Sequence, residues 1–247
     1  MATNSPFGMY DPETSVSPWR KVLLYGDSGS GKTRGASTWP KPVFMDFEGG
    51  MSSIPGKVAR FPADKDLRIT KPAQIEQFLK LAETGLGTPA FPFETIVLDS
   101  LLEYQAVLLN NTLTDYKVKR FYDNLPSQSD YGKMLNDYYI YMRRLLALPC
   151  NVVFITVATN RVYASDRVGP YLVGANTARQ TTRLMDMVGY TFVMEGEGGV
   201  KQYLVGFGET ELYLAKDRAP KTVTTVIPNE YRYLTRRFGK ETTKEKA

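Results

Sequence analysis

The segment Gly26-Asp27-Ser28-Gly29-Ser30-Gly31-Lys32-Thr33 constrains this chain more than any other. It fits G-x-x-x-x-G-K-[S/T], with the apolar run Lys21-Val22-Leu23-Leu24-Tyr25 before it and a stretch expected to be helical, from near Lys32 to before Pro40, after it. Between a strand and a helix, such a loop turns its backbone N–H groups inward as an anion nest, and the helix N-terminus adds positive potential. Gly26, Asp27, Ser28, Gly29, Ser30, Gly31, Lys32 and Thr33 are therefore expected to bind ATP. Lys32 would reach the β- and γ-phosphates, and the Thr33 hydroxyl would ligate Mg2+. A chance glycine turn is the alternative, and it does not account for both flanks.

A P-loop of this kind needs a second ligand for magnesium. Asp99 closes the apolar run Thr95-Ile96-Val97-Leu98 about one α/β unit downstream and is the expected carboxylate. Its competing role is to cap the helix that follows. Glu48 follows the buried run Val43 to Phe47, where ligands of open α/β sheets bind, and it is the expected base for the attacking water. Asp46, two residues earlier, competes for that role.

The rest of the chain reads as alternating strand and helix. Ala73, Ile75, Phe78, Leu79 and Ala82 recur at helical spacing after Pro72. Met134, Leu135, Tyr138, Met142 and Leu145 make a second stripe, which Pro149 ends, and the β-branched run Asn151 to Val157 reads as a fourth strand. This order predicts an α/β fold with a mostly parallel central sheet flanked by helices. Beyond Gly189, the short runs 190–195, 202–207, 211–216 and 222–227 predict antiparallel strands extending the sheet, before a last helix from Pro228 to about Phe238. Residues 1–19 read as an extended arm, 20–238 as the core and 239–247 as a charged tail. Phe7 and Tyr10 in the arm are candidate anchors on a neighbouring subunit.

Composition narrows the chemistry. The 247 residues contain no histidine, which removes imidazole-based triads, zinc ligands and bases. The single cysteine, Cys150, leaves no internal disulfide, and with no signal pattern or membrane-length apolar run the expectation is a cytoplasmic protein without membrane contact.

In this order the pieces resemble RecA. Val43-Phe44-Met45-Asp46-Phe47-Glu48 is similar to the segment that carries its catalytic glutamate, and Thr95 to Ser100 to its Walker B strand. Asn151 to Thr156 resembles the strand leading to its second DNA-binding loop. With the Glu48-Gly49-Gly50 turn, Asp130-Tyr131-Gly132 and Lys216-Asp217-Arg218, residues 20–220 resemble the short phage RecA-core ATPases of the Sak type. The resemblance implies a RecA-like P-loop ATPase of single-strand annealing and recombination, forming a ring or filament with ATP at subunit interfaces. It implies Glu48 as the base, Asp99 as the magnesium acid, and Lys216 and Arg218 as cations that reach a neighbouring subunit's γ-phosphate. Two solvated basic residues at a strand end are the plainer reading of that pair. Where relatives carry a polar switch residue, glutamine or histidine, this chain has Thr156.

Two stretches then stand where RecA-like proteins place DNA loops. Residues 116–131 hold Lys117, Lys119 and Arg120 among aromatic residues, and residues 160–183 hold Arg161, Arg167, Arg179 and Arg183. Cations for phosphates beside rings for stacking suit single-stranded DNA. A single-strand-binding protein is a further expected partner. The competing reading is a P-loop switch or motor that acts on protein partners.

Overall fold

The computed structural model describes residues 17–64, 66–114, 125–159, 167–174, 176–208, 210–218 and 226–235. The strands are β1 (Lys21–Gly26), β2 (Pro42–Asp46), β3 (Ala59–Phe61), β4 (Thr95–Asp99), β5 (Asn151–Thr159), β6 (Gly169–Pro170), β7 (Met187–Glu195), β8 (Lys201–Gly206), β9 (Lys216–Asp217) and β10 (Val226–Pro228). The helices are α1 (Lys32–Ser37), α2 (Pro72–Gly85), α3 (Leu101–Leu113), α4 (Gln128–Ala147), α5 (Thr177–Leu184) and α6 (Tyr231–Thr235).

Among the described residues the strands form one sheet, in the order β10-β8-β7-β1-β5-β4-β2-β3, with β6 on β5 and β9 on β7. From β7 to β3 every pairing is parallel. The pairings of β8, β10, β6 and β9 are antiparallel. This is the α/β architecture expected of a RecA-like P-loop protein; of the expected antiparallel extension, β8 and β10 are antiparallel, whereas β7 pairs parallel with β1 and antiparallel with β8 and β9, and residues 222–225 lie outside the described residues.

Alternation along the strands builds two cores. Leu23 and Tyr25 of β1, Ile96 and Leu98 of β4, and Val152 and Phe154 of β5 pack under α2, α3 and α4. Val22, Leu24, Val97, Val153 and Ile155 face the other way, against Ala36 of α1, Trp39 and Leu234 of α6. Strands apolar on both faces are what a parallel sheet covered on both sides requires. Asp99 shares the parity of Val97, so its carboxylate comes out on the α1 side.

Local chemistry sets the helix starts. Pro72 opens α2, and Gln74 Oε1 accepts from the Lys71 N–H at 3.1 Å. At α4, the Ser127 N–H donates to Asp130 Oδ2 at 2.8 Å and the Asp130 N–H donates back to Ser127 Oγ at 3.4 Å, a capping box.

Three expectations need correction. Helix α3 is the helix that Asp99 had the competing role of capping, but its N-cap residue is Ser100, at the head of the capping-box pattern Ser100-Leu101-Leu102-Glu103. Residues 177–184, expected within a DNA loop, form α5, because Thr177, Ala178 and Thr181 make a buried face. Of the strand expected over 211–216, only Lys216 is extended within the sheet. Residues 210–213 instead form a turn in which Thr210 Oγ1 accepts from the Leu212 and Tyr213 N–H groups at 3.2 Å. Phe7, Tyr10, Lys117, Lys119, Arg120 and Arg161 lie outside the described residues.

Candidate nucleotide site

The loop between β1 and α1 is shaped by its own backbone. Gly29 and Gly31 take positive φ, 80° and 83°, in the left-handed region that side chains resist. Gly31 has a second reason to be glycine: a Cβ there would lie 2.5 Å from Cδ1 of Tyr203. Ser30 is buried behind the loop, its hydroxyl 2.7 Å from that of Thr191 on β7. From the other side Asn229 Nδ2 donates to the Gly31 carbonyl at 3.0 Å. β7 and the segment after β10 thus brace a loop whose inner N–H groups need an anion.

The loop opens onto a cavity of about 360 Å³. Ser28, Gly29, Gly31, Lys32 and Thr33 line it from the loop and the start of α1, and Glu48, Asp99, Ser100, Thr156, Tyr203 and Arg34 are among its other lining residues. Gly26, Asp27 and Ser30 build the rest of the loop.

Three contacts define the polar end. The Thr33 hydroxyl donates to Asp99 Oδ2 at 2.7 Å. The Ser100 hydroxyl donates to Glu48 Oε1 in a short hydrogen bond. The Lys32 ammonium folds back onto the loop and donates to the carbonyls of Gly26 and Asp27, at 2.8 and 2.7 Å. Burial draws the Lys32 pKa below the ordinary lysine value, while Asp99 and Glu48 pull it up. Burial also pushes the Asp99 carboxyl up to about 6; the Thr33 hydrogen bond opposes this, and the neighbouring Glu48 and Asp46 charges reinforce it.

The two candidate bases part company here. Asp46, 2% exposed, accepts from the Gly49 N–H at 2.6 Å and from Arg60 Nη2 at 2.7 Å, so both its oxygens are engaged in holding the turn after β2 and the β3 edge. Glu48 faces the cavity. A hydroxyl and one carboxylate at its floor fit magnesium, which keeps most of its ligands as water and phosphate oxygen. Among the described residues no cluster of three or more acids, cysteines or histidines competes for a metal ion.

The remaining predicted residues lie elsewhere. Lys216 pairs with Val188 where β9 meets the start of β7, and the Arg218 N–H donates to the Asp186 carbonyl at 3.1 Å, at the end of the sheet opposite the loop. The Lys216 ammonium caps α5, donating to the carbonyls of Thr182, Arg183 and Met185 at 3.0, 3.0 and 2.5 Å. Arg218 is exposed and donates to the Arg183 carbonyl at 3.4 Å. Arg179 and Arg183 lie on the exposed face of α5, and half-buried Arg167 precedes β6. Thr156 donates to the Tyr171 carbonyl at 2.7 Å.

Sequence reasoning missed Tyr203, Arg34, Thr191 and Asn229, and gave Ser100 no role. Each lies in a segment that was read correctly or adjoins one. Only the sheet order shows that β7 and β8 pass beside the P-loop.

Among the described residues no helix is long and apolar enough to cross a membrane. No curated protein matches the chain in sequence. Among solved structures it is similar to the KaiC-like protein PH0186 of Pyrococcus horikoshii OT3, with 14% identity, a TM-score of 0.38, and coverage of 75% of this chain and 76% of that one. It is also similar to the flagellar accessory protein FlaH of Methanocaldococcus jannaschii, with 13% identity, a TM-score of 0.38, and coverage of 84% and 83%. Residues 19–219 match the model of the AAA_24 family, described as an AAA domain: the chain belongs to the AAA_24 family.

Proposed function

We propose that this protein hydrolyses ATP with magnesium and couples that turnover to single-stranded DNA, in recombination or strand annealing of the phage Sak type. The observation that carries the reading is the convergence of Lys32, the Thr33–Asp99 pair and Glu48 on one cavity. Lys32 leaves the loop carbonyls for the β- and γ-phosphates, exchanging two neutral acceptors for charged ones. Thr33 and Asp99 would hold the magnesium ion, which would supply neutralisation of phosphate charge. Glu48, which lines the same cavity, orients a water and takes its proton.

The DNA half of the proposal is supported by Arg179 and Arg183, one turn apart on the exposed face of α5, with Arg218 against the end of that helix. Cations spaced along a surface suit a phosphate backbone and carry no base sequence. Lys216 and Arg218 lie far from the pocket of their own chain, so action on phosphate requires a second copy, in a ring or filament. Exposed Arg218 is better placed for that than Lys216, whose ammonium is taken up by α5.

The test is the ATPase rate with and without single-stranded DNA, with fluorescence anisotropy of a labelled oligonucleotide as salt is raised. The reading predicts stimulation, and affinity that falls steeply with salt. ATP turnover with no oligonucleotide binding at low salt would redirect the function to protein partners.

A further inference from the structure

The cavity has two ends, and the strand order separates them. Asp99 and Glu48 stand on and beside β4 and β2, which lie on one side of the P-loop strand β1. Tyr203 stands on β8, beyond β7 on the other side. On the nucleotide reading above, the γ-phosphate and metal go to the side of Asp99 and Glu48. A triphosphate laid along the loop then delivers its sugar and base to the side of Tyr203.

What waits there is a flat ring and a flat cation. Tyr203 lies half-buried against the backbone of Gly31, where a Cβ would meet ring atoms Cδ1 and Cγ at 2.5 and 2.9 Å. Arg34, the residue after Thr33, holds its guanidinium carbon 5.3 Å from the centre of the Tyr203 ring. Both residues line the cavity, and Arg34 is exposed, so its guanidinium moves aside at small cost. An aromatic face beside the loop, covered by a displaceable planar cation, is a stacking platform for a heteroaromatic ring.

We propose that Tyr203 and Arg34 form the nucleobase subsite of this cavity, stacking the base of a nucleoside triphosphate whose phosphates lie on the P-loop. Tyr203 supplies the platform, and Arg34 closes over the base or over the phosphate nearest the sugar.

The test compares two probes, ATP and inorganic tripolyphosphate, each with magnesium, by calorimetry on the full chain. Tyr203→Leu keeps apolar bulk against Gly31 and removes the ring, whereas Tyr203→Phe keeps the ring. The wild type should bind ATP more tightly than tripolyphosphate. Tyr203→Leu should weaken ATP about tenfold, in line with the stacking of one base on an aromatic ring, and leave tripolyphosphate unchanged. Tyr203→Phe should retain the affinity for ATP. If Tyr203→Leu leaves ATP binding intact, or weakens both probes alike, the subsite is refuted while the phosphate site stands. Failure of tripolyphosphate to bind the wild type would overturn the phosphate site as well.

Discussion

The Thr33 hydroxyl and the Asp99 carboxylate are 2.7 Å apart, which joins the first turn of α1 to the end of β4 across the floor of the cavity. Two residues 66 positions apart in the chain are brought together because β1 and β4 flank the same strand, β5. The pair is polar, its carboxylate is buried and its hydroxyl half-buried, and it is adjacent to the one lysine of the loop. Those conditions make its protonation matter.

Asp99 should impose a pH dependence on the nucleotide-free protein. Its carboxyl is pushed up to about 6 from an ordinary value of 3.8, so the folded state holds the proton more tightly than the unfolded chain. The associated stability is complete below the unfolded value and is lost as pH rises through the folded one. Chemical denaturation from about pH 4 to about pH 7.5 should show the wild type losing about 2 kcal/mol more than Asp99→Asn. With magnesium and ATP the sign reverses, because the proton competes with the metal. Affinity should fall below about pH 6 in the wild type.

Glu48→Gln and Asp46→Asn should separate turnover from stability. The first keeps a side chain able to accept from Ser100 but cannot take a proton, so ATP should still bind while hydrolysis falls at least a hundredfold, within the usual range for a general base. The second removes the charge paired with Arg60 and should lower stability by roughly 3 kcal/mol, measured by denaturant titration. The opposite pattern would make Asp46 the base.

The contrast shows what a sequence can and cannot reveal about such a site. That the P-loop, Asp99 and Glu48 meet at one cavity was legible because each is local: a motif, or an acid at the end of an apolar run. The choice between Asp46 and Glu48 was not legible. It depends on Arg60, whose contact with Asp46 exists only because β3 pairs with β2. Tyr203 was unreadable for the same reason, since nothing in Gln202-Tyr203-Leu204 says that β8 lies two strands from β1. Helix α5 was hidden by its composition: threonines and an alanine make its buried face, so its polar sequence resembled a loop.

Lys216 offers a test of structural against catalytic roles. Its ammonium holds three carbonyls at the C-terminal end of α5, where a cation also answers the helix dipole. Lys216→Met should destabilise the fold by about 1–2 kcal/mol. Arg218→Ala should leave thermal stability nearly unchanged. If the proposed action between subunits is right, Arg218→Ala lowers ATPase activity, and mixing it with Lys32→Ala chains restores part of that activity.

The most direct measurement is calorimetric titration of ATP and magnesium into the wild type and into Lys32→Ala. The lysine donates to the Gly26 and Asp27 carbonyls and, at 3.5 Å, to the Ser30 hydroxyl, all within its own loop, so its removal should leave the fold and its circular dichroism intact. Binding to the wild type, with a loss of at least about a hundredfold in the variant, is the expected result for a charge that meets two phosphates. Equal affinity in the two proteins would mean that the phosphates do not lie on this loop.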